Sequence, residues 1–247
     1  MTVHTRAINI LRSDGLVASI VDEMASMTGM AARVPALFAG ASTEPAAGCP
    51  VSAAGTQIEI TGLARLELAG SQAWSGTIDD AALSRALDRT LAAVLDALCL
   101  NGKPAGLLGL LCSGSPKNLF VEKARTALSA GRLEALVGLG PGLTPAGDDF
   151  LTGALMALSP RSRIAALEEA LSSTTPAGRT LLWQALRRSF PAYLVAFARS
   201  IAGAGSSGQV TEAVRAACAH GETSGSDALT GFCWAASQRA RVSRSSI

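Results

Sequence analysis

A chain of 247 residues is long enough to bury one generous domain or two small ones. With 49% hydrophobic and 16% charged residues it carries more apolar surface than a lone soluble protein usually shows, so an oligomer or complex is expected. A formal net charge of +2 and a 4% aromatic content supply neither a basic field nor a stacking platform, which argues against nucleic acid as a partner.

The apolar stretch from Leu91 to Leu100 is interrupted by Asp96, and the segment from Met1 to Asp14 lacks a basic-then-apolar signal pattern. The expectation is a cytoplasmic protein, neither secreted nor membrane-spanning. Five cysteines form an odd set with no C-x-x-C pair, and Cys99, Cys112, Cys218 and Cys233 sit among apolar or small neighbours, the pattern of reduced, buried thiols. Since His4 and His220 are the only histidines, a multi-histidine zinc site or a Ser-His-Asp triad has almost nothing to draw on.

In chain order, Val3 to Leu11 and Leu16 to Val21 flank the turn Ser13-Asp14-Gly15, and Thr56 to Ile60 and Leu63 to Leu68 flank Thr61-Gly62, so each pair predicts a hairpin. Ala36 to Ala54 reads as a loop rich in Ala, Gly, Pro and Ser. From Thr77 the period becomes helical: Leu83, Leu87, Leu91, Leu95 and Leu98 share a face, with Thr77 as the expected cap and Asp79 and Asp80 at the positive end of the dipole. Further helices are predicted over Asn118 to Ala130, Arg161 to Leu171, Arg179 to Arg188, Ala192 to Ala202 and Val210 to Ala219, with Pro160 and Pro191 at starts and Gly221 at a stop. Leu107 to Cys112 is either a short buried strand or part of a helix. The fold class expected is therefore α+β, a β-rich N-terminal part over residues 1–76 followed by a mainly α-helical part over 77–247.

The run from Gly138 to Gly153, GLGPGLTPAGDDFLTG, carries the strongest signal. Gly138, Gly140, Gly142 and Gly147 permit tight turns and close approach, and Thr144 before Pro145 reads as a helix cap. A helix start of this kind, with roughly half a positive charge on exposed N–H groups, is a seat for phosphate or carboxylate. Asp148 and Asp149 in its first turn would repel an anion unless a cation intervened; Mg2+ held by these two aspartates is one candidate. The alternative is that both aspartates simply favour the helix dipole and the glycines make a packed turn. No Lys-Ser or Lys-Thr follows the glycines, so this is not a P-loop.

Seventy-eight positions later, Gly225-Ser-Asp-Ala-Leu-Thr-Gly231 repeats Gly147-Asp-Asp-Phe-Leu-Thr-Gly153 with five of seven residues identical, each copy preceded by a glycine and a threonine. The repeat predicts a duplicated glycine-loop/helix element whose two helix starts, facing each other, would pool Asp149 and Asp227. Thr223, Ser224 and Gly225 are then candidate anion contacts beside Thr144. His220, just before the second copy, is a candidate acid-base or phosphate contact, or else a dipole partner of the preceding helix. Arg187-Arg188 and the tail from Arg239 to Arg244 read as solvated, and Trp183, Tyr193 and Phe197 as core or interface. No arginine or lysine stands within the two motif segments.

GLGPGLTPAGDDFLTG and the segment HGETSGSDALTG from His220 to Gly231 resemble a bacterial family whose characterised type is the AllH subunit of oxamate carbamoyltransferase. Weaker similarity covers Val3-His4-Thr5, the stretch from Asn9 to Leu16 and Trp74; relative to many members the chain begins late. The resemblance implies participation in carbamoyl transfer between carbamoyl phosphate and oxamate, giving oxalurate and phosphate in allantoin breakdown, within an assembly containing two other subunits. For a small anionic substrate, the motif segments themselves offer Asp148, Asp149, Asp227 and His220 as candidate catalytic groups. The Ser-Thr-Arg-Thr and His-Pro-x-Gln motifs of aspartate and ornithine carbamoyltransferases are absent. Competing readings are a non-catalytic structural subunit and a small-anion-binding regulatory module.

Overall fold

The computed structural model describes residues 2–4, 6–38, 48–114, 118–158 and 164–245, and it divides into two compact units, Met1–Ser75 and Gly76–Ile247. It is α+β, with the strands in the first unit and eight helices among the described residues of the second.

Alternating apolar residues in the first unit need a surface to bury against, and two small sheets provide it. Strands β1 (Thr2–His4), β2 (Ala7–Leu11), β3 (Val17–Val21) and β4 (Ala31–Arg33) form one sheet in that order; β5 (Val51–Ala54), β6 (Gln57–Ile60) and β7 (Ala64–Glu67) form the other. Ile8 and Ile20 from the first sheet and Ile60 and Leu66 from the second make one buried cluster. The hairpin β2–β3 turns through Gly15 at φ 79°, and β6–β7 through Gly62 at φ 76°, the left-handed positions that the two turn signals anticipated.

Two sequence expectations change here. The segment read as one strand from Val3 to Leu11 is an antiparallel pair, β1 with β2. Part of the segment read as a loop is strand β5, which pairs with β6 across a tight turn at Gly55, φ 57°. Its small residues conceal the alternation because pairing, not side-chain bulk, stabilises it. The side chain of His4 lies outside the described residues.

The helices of the second unit are α1 (Asp80–Asn101), α2 (Leu119–Ser129), α3 (Ala146–Ala157), α4 (Ile164–Ala170), α5 (Pro176–Leu186), α6 (Ala192–Gly203), α7 (Ser207–Cys218) and α8 (Ser224–Ser245). Pro160 and Arg161 lie outside the described residues. The cap of α1 is Asp79, whose carboxylate accepts from the Ala82 N–H, not Thr77. Leu107 to Cys112 is neither strand nor α-helix but contains a 3-10 turn over Leu108–Leu110. Cys99 and Cys112 are joined in a disulfide with Cα atoms 5.4 Å apart, whereas Cys218 and Cys233 are buried free thiols. Sequence neighbours alone could not show that the turn folds back onto the end of α1, so the reading of all five cysteines as reduced fails, and with it the argument from cysteine to compartment.

At the centre lies α3, every residue of which is buried. A helix buried on all faces must satisfy its ends internally. At its C-terminus Arg188 donates to the carbonyls of Leu155 and Met156, and Arg239 to that of Ala157 at 2.9 Å. Both hold the last turn of the central helix, Arg239 while exposed as read and Arg188 while half-buried; Arg188 adopts a left-handed backbone at φ 60° and also meets Asp80. Arg187 lies over the Trp183 ring, 4.0 Å from its centroid. Among the described residues no helix is long and apolar enough to cross a membrane.

Candidate functional site

The site is assembled from the two repeated helix starts. A Cβ at Gly153 would fall 1.7 Å from the carbonyl oxygen of Ala228, and one at Gly231 would fall 1.8 Å from that of Phe150. In the repeat Gly153 matches Gly231 and Phe150 matches Ala228, so each copy lays the same glycine on the same carbonyl of the other. This reciprocity is that of a local two-fold axis between α3 and α8, and only glycine lets the backbones approach so closely. Thr152 and Thr230 repeat the relation, each hydroxyl donating to the carbonyl four residues earlier, Asp148 at 2.8 Å and Ser226 at 2.7 Å.

The helix starts bring Asp149 and Asp227 together, with 2% and 0% of their surfaces exposed. Burial pushes the Asp149 carboxyl well above the usual carboxylate range, opposed by hydrogen bonds from Ser224 and Thr144 and reinforced by the negative charge of Asp227. Burial likewise raises Asp227 to about 6, against the hydrogen bonds from the Leu107 N–H and the Thr223 hydroxyl. The Leu107 N–H lies 2.5 Å from Asp227 Oδ1, and Gly106 beside it has no side chain because a Cβ there would sit 2.1 Å from the same oxygen. One oxygen of each carboxylate, Asp149 Oδ2 and Asp227 Oδ2, has no hydrogen-bond partner.

Asp148 faces a different set of donors. Its Oδ1 accepts from the Gly138 N–H at 2.8 Å and its Oδ2 from the Thr174 hydroxyl, while Gly178 provides the space that a Cβ 2.0 Å from Oδ2 would remove. Burial raises its pKa and these two donors draw it back. Asp148 therefore braces the glycine loop against Thr174, just before α5, with a donor on each of its oxygens. Among the described residues no group of three or more His, Cys, Asp or Glu side chains is arranged to hold a metal ion.

The glycines divide in the same way. Gly138, Gly140 and Gly142 all adopt left-handed φ, 74°, 111° and 105°. Gly138 packs on Ser173, Gly147 on the carbonyl of Leu136 and Gly225 on that of Ala217, so these three serve close packing. Gly142 is exposed, and a Cβ built on it would meet only the Thr144 carbonyl, at 3.7 Å. Thr144 does not cap α3, whose N-cap is Pro145 without a side-chain bond. Its hydroxyl is instead 3.4 Å from that of Ser224, and both reach Asp149.

Around the buried carboxyls stand half-buried Thr144, Tyr193, His220, Thr223, Ser224 and Lys103. Tyr193, set aside in sequence as core, stacks on His220 with ring centroids 4.0 Å apart, and burial plus the charges of Asp149 and Asp227 raise its phenol well above the ordinary value. Burial, then the Lys103 charge, lowers His220, which favours its neutral imidazole. Lys103 supplies the positive charge missing from the motif segments: its Nζ donates to the Gly221 carbonyl at 2.6 Å and its N–H to Ser226 Oγ at 2.9 Å. Lys103, Gly106 and Leu107 lie more than a hundred residues before Asp227 and carry no local pattern that ties them to it.

Residues 136–236 match the family model of the oxamate carbamoyltransferase subunit AllH. The match covers under half of the chain but spans both copies of the repeat, and it bears out the resemblance read from the two motifs. No curated protein and no solved structure matches the chain.

Proposed function

We propose that this chain is a subunit of a carbamoyltransferase complex acting on oxamate or oxalurate and carbamoyl phosphate in allantoin degradation, and that it contributes the site between the starts of α3 and α8. The observation that carries the reading is the pooling of Asp149 and Asp227, one from each copy of the repeat, within the segment that matches the AllH family. Carbamoyl transfer onto an amide nitrogen requires that the nitrogen be held and relieved of a proton while the leaving phosphate is stabilised. Buried carboxyls with raised proton affinity suit the first task, and His220, Lys103 and the N–H groups at the helix starts suit the second.

Two partner subunits belong to the proposal, since the apolar composition leaves surface for association and the polar groups here are few for a complete transferase. The test is expression of the chain alone and with its two partners, each assayed for oxalurate phosphorolysis. The expected result is turnover only in the complex, lost by at least about a hundredfold with Asp149→Asn. A fully active Asp149→Asn complex would reduce the chain to a structural subunit, and robust turnover by the chain alone would place the whole active site on it.

A further inference from the structure

We infer that Asp149 and Asp227 act as one receptor for a planar primary amide or ureido NH2 group, and that Lys103 takes the anionic end of the same ligand. The inference rests on the site reading above and deepens it by assigning which end of the substrate goes where.

Each of the two carboxylates has one oxygen supplied by the protein and one left over. Asp227 receives the Leu107 N–H on Oδ1 and a hydrogen bond from the Thr223 hydroxyl, and Asp149 receives the hydroxyls of Ser224 and Thr144. Asp149 Oδ2 and Asp227 Oδ2 are buried and unpartnered. Native interiors rarely leave two such acceptors together, because a buried acceptor without a donor loses its hydration for nothing. What is missing is therefore a pair of donors, and a single –NH2 in a planar amide carries two N–H bonds directed at different acceptors.

A divalent cation fits this place less well. Burial raises both carboxyls and the charge of Asp227 raises Asp149 further, which disfavours their ionised forms, and among the described residues no third ligand joins them in a metal-holding group. Lys103 completes the polarity: one of its three N–H bonds is used on the Gly221 carbonyl, and its charge is felt by His220. A ligand with a carboxylate or phosphate at one end and an NH2 at the other meets complementary groups at both.

The test is calorimetric titration of the full chain at pH 7.5 with three probes of similar size: oxamate, N,N-dimethyloxamate, which lacks N–H donors, and oxalate, which replaces the amide by a second carboxylate. The expected result is that oxamate binds at least about tenfold more tightly than either analogue, one order of magnitude being the effect of one lost charged hydrogen bond. Asp149→Asn and Asp227→Asn, checked for native melting, should erase that preference, whereas Lys103→Met should weaken oxamate and oxalate alike. Equal affinity for the three probes in the unmodified chain, or no binding of oxamate at all, would overturn the receptor. A preference untouched by either aspartate variant would overturn it too, and a Lys103→Met chain that binds oxalate normally would overturn the assignment of the anionic end. The titration does not depend on turnover. Amide selectivity in a chain whose complex shows no carbamoyl transfer would sink the proposed reaction and leave the receptor standing; an active complex with an unselective site would do the reverse.

Discussion

The two copies of the repeat share a backbone plan but use it differently. The start of α3 is preceded by three left-handed glycines and braced by Asp148, which ties Gly138 to Thr174; the start of α8 has a single left-handed glycine, Gly221, and Ser226 in place of Asp148, bonded to the Lys103 N–H. What stays the same is the glycine on the partner helix and the aspartate beneath the axis, Asp149 and Asp227. The conserved half of the plan brings the carboxyls together, and the divergent half gives the site one side built from an exposed loop and another built from a cation.

The sharpest way to break that comparison is at the helix crossing. Gly153→Ala and Gly231→Ala each place a methyl within 1.8 Å of a backbone carbonyl that cannot turn aside, so each should lose about 3 kcal/mol or fail to fold, in the range of severe overpacking. Denaturant unfolding of both variants checks it. Similar losses are expected; a harmless substitution at either glycine would remove the reciprocal contact from the axis.

Asp149→Asn and Asp148→Asn separate the two neighbouring carboxyls. The first should lower turnover of the complex by about a hundredfold, some 2.7 kcal/mol, with the fold intact. The second should leave the chemistry within about tenfold but reduce stability by about 1–3 kcal/mol, because it turns a buried acceptor of two hydrogen bonds into a group that can clash with one of the donors. Steady-state rates and melts on the same preparations distinguish them, and the reverse assignment of effects would exchange the roles given to the two aspartates.

A pH series tests the axis without kinetics. Asp227 has its pKa raised to about 6, so its protonated form is favoured in the folded chain. The stability it confers is full below its unfolded value near 4 and is lost as pH rises through 6. Asp227→Asn escapes that loss, so its unfolding free energy relative to the unmodified chain should rise by on the order of 2 kcal/mol between pH 4 and pH 7.5. A difference independent of pH would mean that Asp227 ionises without hindrance.

Much of this was legible in sequence because it is local. Turn glycines, the leucine period of α1, and the five-of-seven repeat each report on neighbours a few residues away, and the repeat even announced that Asp149 and Asp227 belong together. The contributions of Lys103, Gly106 and Leu107 were invisible because they reach Asp227 through the tertiary packing of a segment with no motif of its own. Tyr193 was hidden by its type, since an aromatic at helical spacing looks the same in a core as above a carboxyl pair. Half-buried Arg188 read as solvated, and the bond from exposed Arg239 went unread, because nothing local reveals that the last carbonyls of a wholly buried helix await donors.

The smallest expected effect on folding is at Gly142, where the loop side of the site is most exposed. Its φ of 105° lies where a side chain is strained, yet no atom but the Thr144 carbonyl at 3.7 Å comes near a Cβ built there. Gly142→Val therefore adds backbone strain without a clash, a loss of about 1–2 kcal/mol. Binding should suffer more, by at least about tenfold in oxamate affinity, because relief of the strain shifts the loop that carries Thr144, and Thr144 holds Asp149 jointly with Ser224. Gly138→Ala is the matched control: its Cβ would meet the Ser173 carbonyl at 2.5 Å, so it should cost more stability than Gly142→Val. Unfolding curves and oxamate titrations on both variants decide between a loop that serves the site and one that only packs. A Gly142→Val chain with lowered stability and unchanged oxamate affinity would make the glycine loop a packing device alone and leave recognition to the α8 side.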